Sequence, residues 1–100
     1  MYLLRYSKRK DKKYEIKYSD NGVIKSIHFG GKGYQDYLIH KDDNRKENYI
    51  KRHQANENWN DLSKAGTFSR FLLWNKTSLD ASIKDMEKRF KIKITVDFLI

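Results

Sequence analysis

The chain has 100 residues, no cysteine, no proline and a formal net charge of +9. This length allows one domain. Its 38% hydrophobic and 14% aromatic residues suffice for one small core, which argues against a fully disordered basic tail. The lack of cysteine excludes disulfides, a thiolate nucleophile and a cysteine zinc site. No apolar run reaches the ~18 residues of a membrane helix. The N-terminus Met1–Arg5 is unlike a signal peptide, so neither a secreted nor a membrane protein is expected.

The positive charge is concentrated in the N-terminal third. Residues 1–33 contain nine Lys and Arg against three acids, a net of +6, and residues 34–100 contain thirteen against ten, a net of +3. Such asymmetry favours a polyanionic partner, which could be nucleic acid, an acidic protein or an anionic membrane surface. The alternative is a lysine-rich surface that only keeps the protein soluble.

Three strands are predicted in the N-terminal third. Tyr2–Ser7 reads as the first, and the alternation of Tyr14, Ile16 and Tyr18 indicates the second. The turn Asn21-Gly22 then predicts a hairpin into a third strand over residues 23–29.

The residues after the strands have helical periodicity and capping signals. Asn44 is predicted to cap a helix that runs through Tyr49 and Ile50 to His53, with Glu47 completing a capping box. Trp59, in the polar loop that follows, is expected to pack against the core.

Two more helices and a strand follow. Thr67 is predicted to cap a short helix that carries Trp74, on which Arg70 could stack. Thr77 is predicted to cap the next helix. The spacing of its apolar residues predicts one buried stripe, formed by Leu79, Ile83, Met86 and Phe90. Alternation of Ile92, Ile94 and Val96 indicates a last strand.

These elements predict an α+β fold in a single compact domain, residues 1–100. A basic three-stranded antiparallel meander over residues 1–33 packs against two to three helices of a mainly helical half, residues 34–100. The helices are expected to cover the apolar face that three strands alone leave exposed, and the C-terminal strand is expected to join the sheet.

The glycine-rich segment after the third strand is a candidate anion-binding loop. Gly31 and Gly33 flank Lys32, and their N–H groups could form a nest around a phosphate, to which Lys32 adds charge. The spacing does not match a Walker A loop. The alternative is a loop that needs positive φ for its turn alone.

Basic residues supply the other predicted phosphate contacts. The charged turn after the first strand contributes Lys8, Arg9, Lys10, Lys12 and Lys13. Lys41, Arg45 and Arg52 could line a groove-facing helix, since Arg45 and Arg52 lie seven residues apart, and the equal alternative is an ordinary solvated helix face. Tyr2, Tyr6, Tyr14 and Tyr18 either stack on bases or, as strand periodicity favours, face the core.

An enzyme is not expected, and no catalytic residue, metal ligand or cofactor is assigned. Three histidines and nearby acids could in principle form a metal-dependent nuclease site: His28, His40, His53, Asp36, Asp42 and Asp43. Their spacing fits no ligand motif. Along a helix His40 and His53 would lie about 19 Å apart, at ~1.5 Å per residue.

A set of residues from Ile27 onward carries a resemblance that covers about two-thirds of the chain. The matching residues are Ile27-His28-Phe29-Gly30, Gly33-Tyr34, Asp36-Tyr37, His40-Lys41-Asp42, Arg45-Lys46, Tyr49, Arg52-His53, Glu57-Asn58-Trp59, Ala65-Gly66, Ser69-Arg70, Leu72-Leu73-Trp74 and Ser82-Ile83. In these the chain resembles a family of small basic proteins of unknown function encoded by large DNA viruses of algae and protists. It departs at Phe68 and Phe71, where the family often has an aromatic pair that includes tryptophan. The resemblance implies a viral origin and one compact domain, and it transfers no catalytic residue.

The leading hypothesis is a non-enzymatic protein that binds DNA or RNA, located in a virion or in the cytoplasm or nucleus of an infected host cell. The second is a structural virion component, such as a minor capsid or core protein, whose basic surface meets acidic proteins. A small metal-dependent nuclease is the third.

Overall fold

The computed structural model describes residues 1–98, and its strands form one four-stranded sheet. The strands are β1 Tyr2–Tyr6, β2 Lys12–Asp20, β3 Val23–Gly31 and β4 Ile94–Asp97, in the order β3-β2-β1-β4. The first three pair antiparallel, and β4 lies parallel to β1. The predicted α+β fold is therefore confirmed, including the C-terminal strand that joins the sheet.

The hairpin between β2 and β3 turns at Asn21-Gly22, as predicted. Both residues have positive φ, 53° and 81°, and Asp20 faces Val23 across the ladder. Two successive residues with positive φ give a turn whose twist matches that of the strands. The asparagine–glycine pair thus sets the register of the two longest strands.

The helices follow the strands in chain order. They are α1 Tyr37–His40, α2 Asp43–Gln54, α3 Ala65–Phe68 and α4 Leu79–Phe90, with a π-helical segment, Ser69–Leu73, continuing directly from α3. The helices after α1 were predicted, but α1 and the π-helical segment were not. No helix in residues 1–98 combines the length and apolar content needed to cross a membrane.

All three predicted helix caps are wrong. Asp42, not Asn44, caps α2, because its carboxylate accepts from the N–H groups of Asn44 and Arg45 at 2.9 and 3.3 Å. Ser78, not Thr77, caps α4. Thr67 lies inside α3 instead of capping it, fully buried, and its hydroxyl donates to Asp61 O at 2.6 Å.

Replacing the observed cap of α2 is expected to destabilise the protein moderately. Asp42→Ala should lower the free energy of unfolding by about 1 kcal/mol, because two helix N–H groups lose their acceptor. Urea unfolding followed by tryptophan fluorescence measures this loss. Asn44→Ala serves as the control and should change stability by less than about 0.5 kcal/mol. Equal losses in the two variants would contradict the assignment of the cap.

The core lies between the sheet and the helices. Leu4, Ile16 and Phe29 come from three adjacent strands, and Phe68 and Leu72 pack on them from α3 and the π-helical segment. Ile83 and Met86 are buried, while Leu79 and Phe90 pack partly buried at the edge. The predicted stripe on α4 is therefore confirmed.

Candidate functional site

Three neighbouring clefts share lining residues and are here together called the basic groove. The first, of about 300 Å³, is lined by Tyr6, Ser7, Lys12, Lys13, Tyr14 and Lys32. The second, of about 330 Å³, shares Lys13 and is also lined by Gly30, Gly31, Tyr34, Gln35 and Asp36. The third, of about 540 Å³, is lined by Arg45, Asn48, Lys51, Arg52 and Trp74, and three of these residues (Arg45, Arg52 and Trp74) also line the second.

Two lysines from neighbouring segments meet in the first cleft. Lys12 pairs with Gly31 across the β2–β3 ladder, and the N–H of Lys32 donates to Asp11 O at 2.9 Å. Tyr14 lines the same cleft, and burial raises the pKa of its hydroxyl further above the neutral range, so it carries no charge that could offset the lysines. The cleft therefore presents two cations to solvent.

Lys13 is neutralised within the structure. Its Nζ lies 2.6 Å from Asp36 Oδ2 and 2.6 Å from the carbonyl oxygen of Tyr34. Asp36 is only 4% exposed, so the pair is shielded from water. Lys13 was predicted to contact phosphate. The structure instead gives it the role of joining β2 to the loop after β3.

The glycine loop forms a tight turn that presents Tyr34. The N–H of Tyr34 donates to Gly31 O at 3.2 Å, and Gly33 takes φ +90°, which glycine alone adopts easily. A Cβ on Gly31 would lie 2.8 Å from Tyr34 Cδ2. The tyrosine ring therefore lies against the backbone of Gly31, and the loop does not form an open nest around an anion.

Helix α2 brings two arginines to the groove. Arg45 and Arg52 line both the second and the third cleft, in agreement with their predicted common face. Arg45 donates to Gln35 Oε1 at 3.0 Å, so its position is set by a neutral partner and its charge is not cancelled. The structure thus places both arginines on a cleft that Gly31 also lines, although β3 and α2 are separate in sequence.

A row of packed rings supports this part of the groove. Trp74 stacks on Tyr49 with ring centroids 4.3 Å apart and an angle of 2°, and His53 packs on Tyr49 at 4.3 Å with its ring tilted by 30°. Trp74 directly follows the π-helical segment, where its N–H donates to Ser69 O at 3.1 Å. Such wide turns occur often at functional sites. The side chain of Trp74 lines the groove at the end of the segment.

The predicted stacking of Arg70 on Trp74 is wrong. The guanidinium of Arg70 instead donates to the carbonyl oxygen of Trp74 at 2.7 Å and lies 5.5 Å from the ring centroid of Trp59. Burial lowers the pKa of Arg70, yet a guanidinium stays charged at neutral pH. Its role is to hold the end of the π-helical segment against the loop that carries Trp59.

The remaining predicted phosphate contacts lie outside the three clefts. Lys8 and Lys10 are exposed on the turn between β1 and β2. Arg9, on the same turn, is paired with Asp11 at 3.0 Å. Lys41 follows α1 with φ 52°, and its Nζ bonds to Leu38 O at 2.6 Å. The expectation that Lys41 shares a groove-facing helix with Arg45 and Arg52 is therefore wrong.

A chain of polar contacts fixes the turn that carries Lys8 and Lys10. Ser7 Oγ lies 2.7 Å from His28 Nδ1, and His28 Nε2 lies 3.4 Å from Glu15 Oε2. Glu15 Oε1 in turn lies 3.6 Å from Arg5 Nε. Because Ser7 Oγ also accepts from the N–H of Arg9, the chain joins three strands to the start of this turn.

The histidines do not form one cluster. His28 belongs to the contact chain on the sheet, whereas His40 and His53 lie at opposite ends of a row of rings, His40 against Trp74 at 5.2 Å and His53 against Tyr49 at 4.3 Å. Within residues 1–98, no three His, Cys, Asp or Glu side chains are grouped so that they could hold a metal ion. The residues suggested for a metal-dependent nuclease are therefore not brought together.

Residues 2–53 match the model of a family of unknown function, DUF5754. The chain belongs to this family. The match covers β1 to β3, α1 and nearly all of α2, and so includes every cation of the basic groove. No curated protein and no solved structure matches the chain significantly.

Several residues that line the groove were not assigned as contacts from the sequence, among them Tyr34, Gln35 and Trp74 of the second cleft. Tyr34 directly follows the glycine loop, and a ring beside a glycine turn was the available signal. Gln35 and Trp74 carried no such signal, since their places in the cleft depend on tertiary packing.

Proposed function

We propose that this member of DUF5754 binds nucleic acid without catalysing a reaction, through the phosphate groups of a strand that follows the basic groove. The observation that supports it most is the convergence of Arg45 and Arg52 with Lys12 and Lys32 on adjoining clefts. The one acid that lines the second cleft, Asp36, is already paired with Lys13.

The arrangement suits phosphates because the cations are spaced along a groove and are not gathered at one point. Lysine and arginine neutralise successive phosphates and release counterions, which supplies most of non-specific affinity. Lys8 and Lys10 extend the positive surface beyond the first cleft. Affinity should therefore fall steeply with salt. The viral origin and the virion or host-cell location implied by the resemblance are part of the same proposal.

Removing both groove arginines is the direct test. Arg45→Gln combined with Arg52→Gln should weaken binding to DNA or RNA at least tenfold at low salt. It should also reduce the slope of log affinity against log salt by roughly 0.7 for each lost contact to a single-stranded phosphate. Fluorescence anisotropy with duplex DNA, single-stranded DNA and RNA at two salt concentrations measures both effects.

Lys84→Gln combined with Lys88→Gln is the matched control. It removes the same charge from α4, and neither lysine lines any of the three clefts. We expect at most a small, uniform loss of affinity. If the control weakens binding as much as the arginine variant, net charge and not the groove determines binding. Absence of binding to all three nucleic acids at low salt would remove the proposal.

A second candidate function is a structural role in the virion, and the exposed tip of the β2–β3 hairpin favours it. Val23 and Ile24 are 57% and 67% exposed, and Ile24 lines an apolar cleft of about 260 Å³ with Met1 and Leu3. Exposed apolar patches that are rimmed by polar residues mark protein interaction sites. High abundance in purified virions combined with no affinity for nucleic acid would support this alternative.

A further inference from the structure

Tyr34 is the most exposed ring in the described part of the chain, and the fold does not use its outer side. Its side chain is 77% exposed, although tyrosine usually packs much of its ring. The ring lies against Gly31 on its inner side, where a Cβ would come within 2.8 Å. The contact with Gly31 uses one face of the ring, and the rest of the ring is open to solvent.

The backbone around Tyr34 is held from both sides. Its N–H donates to Gly31 O at 3.2 Å, and its carbonyl oxygen accepts from Lys13 Nζ at 2.6 Å. Lys13 is itself anchored by the buried carboxylate of Asp36. The ring is therefore presented on a fixed turn, which lowers the entropy that a ligand would have to remove on binding.

The position of Tyr34 along the groove suggests what it contacts. It lines the same cleft as Arg45 and Arg52 on α2, and the first cleft with Lys12 and Lys32 adjoins that cleft through Lys13. A strand whose phosphates run from one pair of cations to the other would therefore pass the ring. Proteins that bind single strands combine a basic groove with such rings.

We propose that Tyr34 is a stacking platform for an unpaired nucleobase, so that the groove takes single-stranded in preference to duplex nucleic acid. This inference rests on the proposed function and names its substrate class. In a duplex the bases stack on one another and their faces are closed to the ring. A duplex would therefore use the cations alone, whereas a single strand gains the stacking contact in addition.

Tyr34→Ala and Tyr34→Phe form a matched pair for the test. Anisotropy titrations compare a single strand of about 12 nucleotides with the duplex of the same sequence. The alanine variant should bind the single strand roughly five- to a hundredfold more weakly, with an unchanged salt slope, because stacking releases no counterions. The phenylalanine variant keeps the ring and should bind close to the wild-type protein. Duplex binding should be equal in all three.

Gly31→Ala provides an independent variant that keeps every charge. The added methyl would displace the ring of Tyr34, so single-strand affinity should fall while duplex affinity holds. Equal wild-type affinity for both nucleic acids, with Tyr34→Ala affecting neither, would overturn the stacking inference and leave the proposed function standing. Failure of the wild-type protein to bind either nucleic acid would overturn both.

Discussion

Glu15→Gln is expected to lower the free energy of unfolding by about 3 kcal/mol, although the substitution preserves side-chain volume. Glu15 is 6% exposed at its side chain and lies between Arg5, 12% exposed, and His28. The amide cannot balance the guanidinium, and a shielded charge left without its partner costs about 3–5 kcal/mol. Urea unfolding measured by tryptophan fluorescence gives the difference.

The double variant Arg5→Leu with Glu15→Leu separates the loss of a partner from the value of the pair. Replacing both charges with apolar side chains removes the unbalanced guanidinium, so stability should return close to that of the wild-type protein. Arg5 Nε and Glu15 Oε1 make no hydrogen bond, which supports this expectation because the pair gains little beyond its attraction. An unchanged unfolding midpoint in Glu15→Gln would show that the carboxylate is not needed.

The strands were predictable because their signals are local. Alternation over residues 14–18 and the Asn21-Gly22 turn fix which faces meet and in what register, without reference to distant residues. The predictions of the caps of α2 and α4 were wrong because several side chains that can accept a hydrogen bond are adjacent in the sequence. Asp42, Asp43 and Asn44 offer similar chemistry, and only the path of the backbone decides which oxygen reaches the free N–H groups.

The π-helical segment was not predictable from helical spacing. Its hydrogen bonds span five residues, as in Trp74 N–H to Ser69 O, and a search at period 3.6 does not detect them. This wider turn determines where Trp74 enters the groove. The short helix was therefore predicted at the correct part of the chain, but residues 69–73 are π-helical and not α-helical.

The candidate site was predictable in part. The spacing of Arg45 and Arg52 predicted that both lie on one face of α2, since seven residues make nearly two helical turns. Their meeting with Gly31 on one cleft depends on tertiary packing. The ion pair between Lys13 and Asp36, which is 23 residues away, also depends on tertiary packing and removes Lys13 from the free cations. Local pattern thus identifies the cations, and only the fold shows which of them remain free.

Gly30→Ala is expected to lower the free energy of unfolding by about 3 kcal/mol, through two separate effects. Gly30 has φ +78°, a conformation that costs an alanine about 1–2 kcal/mol. Its new Cβ would also lie 2.8 Å from Leu73 Cδ1, which is fully buried and cannot move freely. Overpacking of this kind costs about 1–3 kcal/mol.

Gly22→Ala isolates the backbone effect, because Gly22 has φ +81° but nothing within 4 Å of an added Cβ. It should cost only the conformational strain, about 1–2 kcal/mol. Leu73→Val removes the atom that clashes with the new Cβ. In a double-mutant cycle, the double variant Gly30→Ala with Leu73→Val should therefore lose less stability than the sum of the losses in the two single variants. If Gly30→Ala costs no more than Gly22→Ala, then Gly30 does not pack against Leu73, and these two residues do not together form the wall of the basic groove.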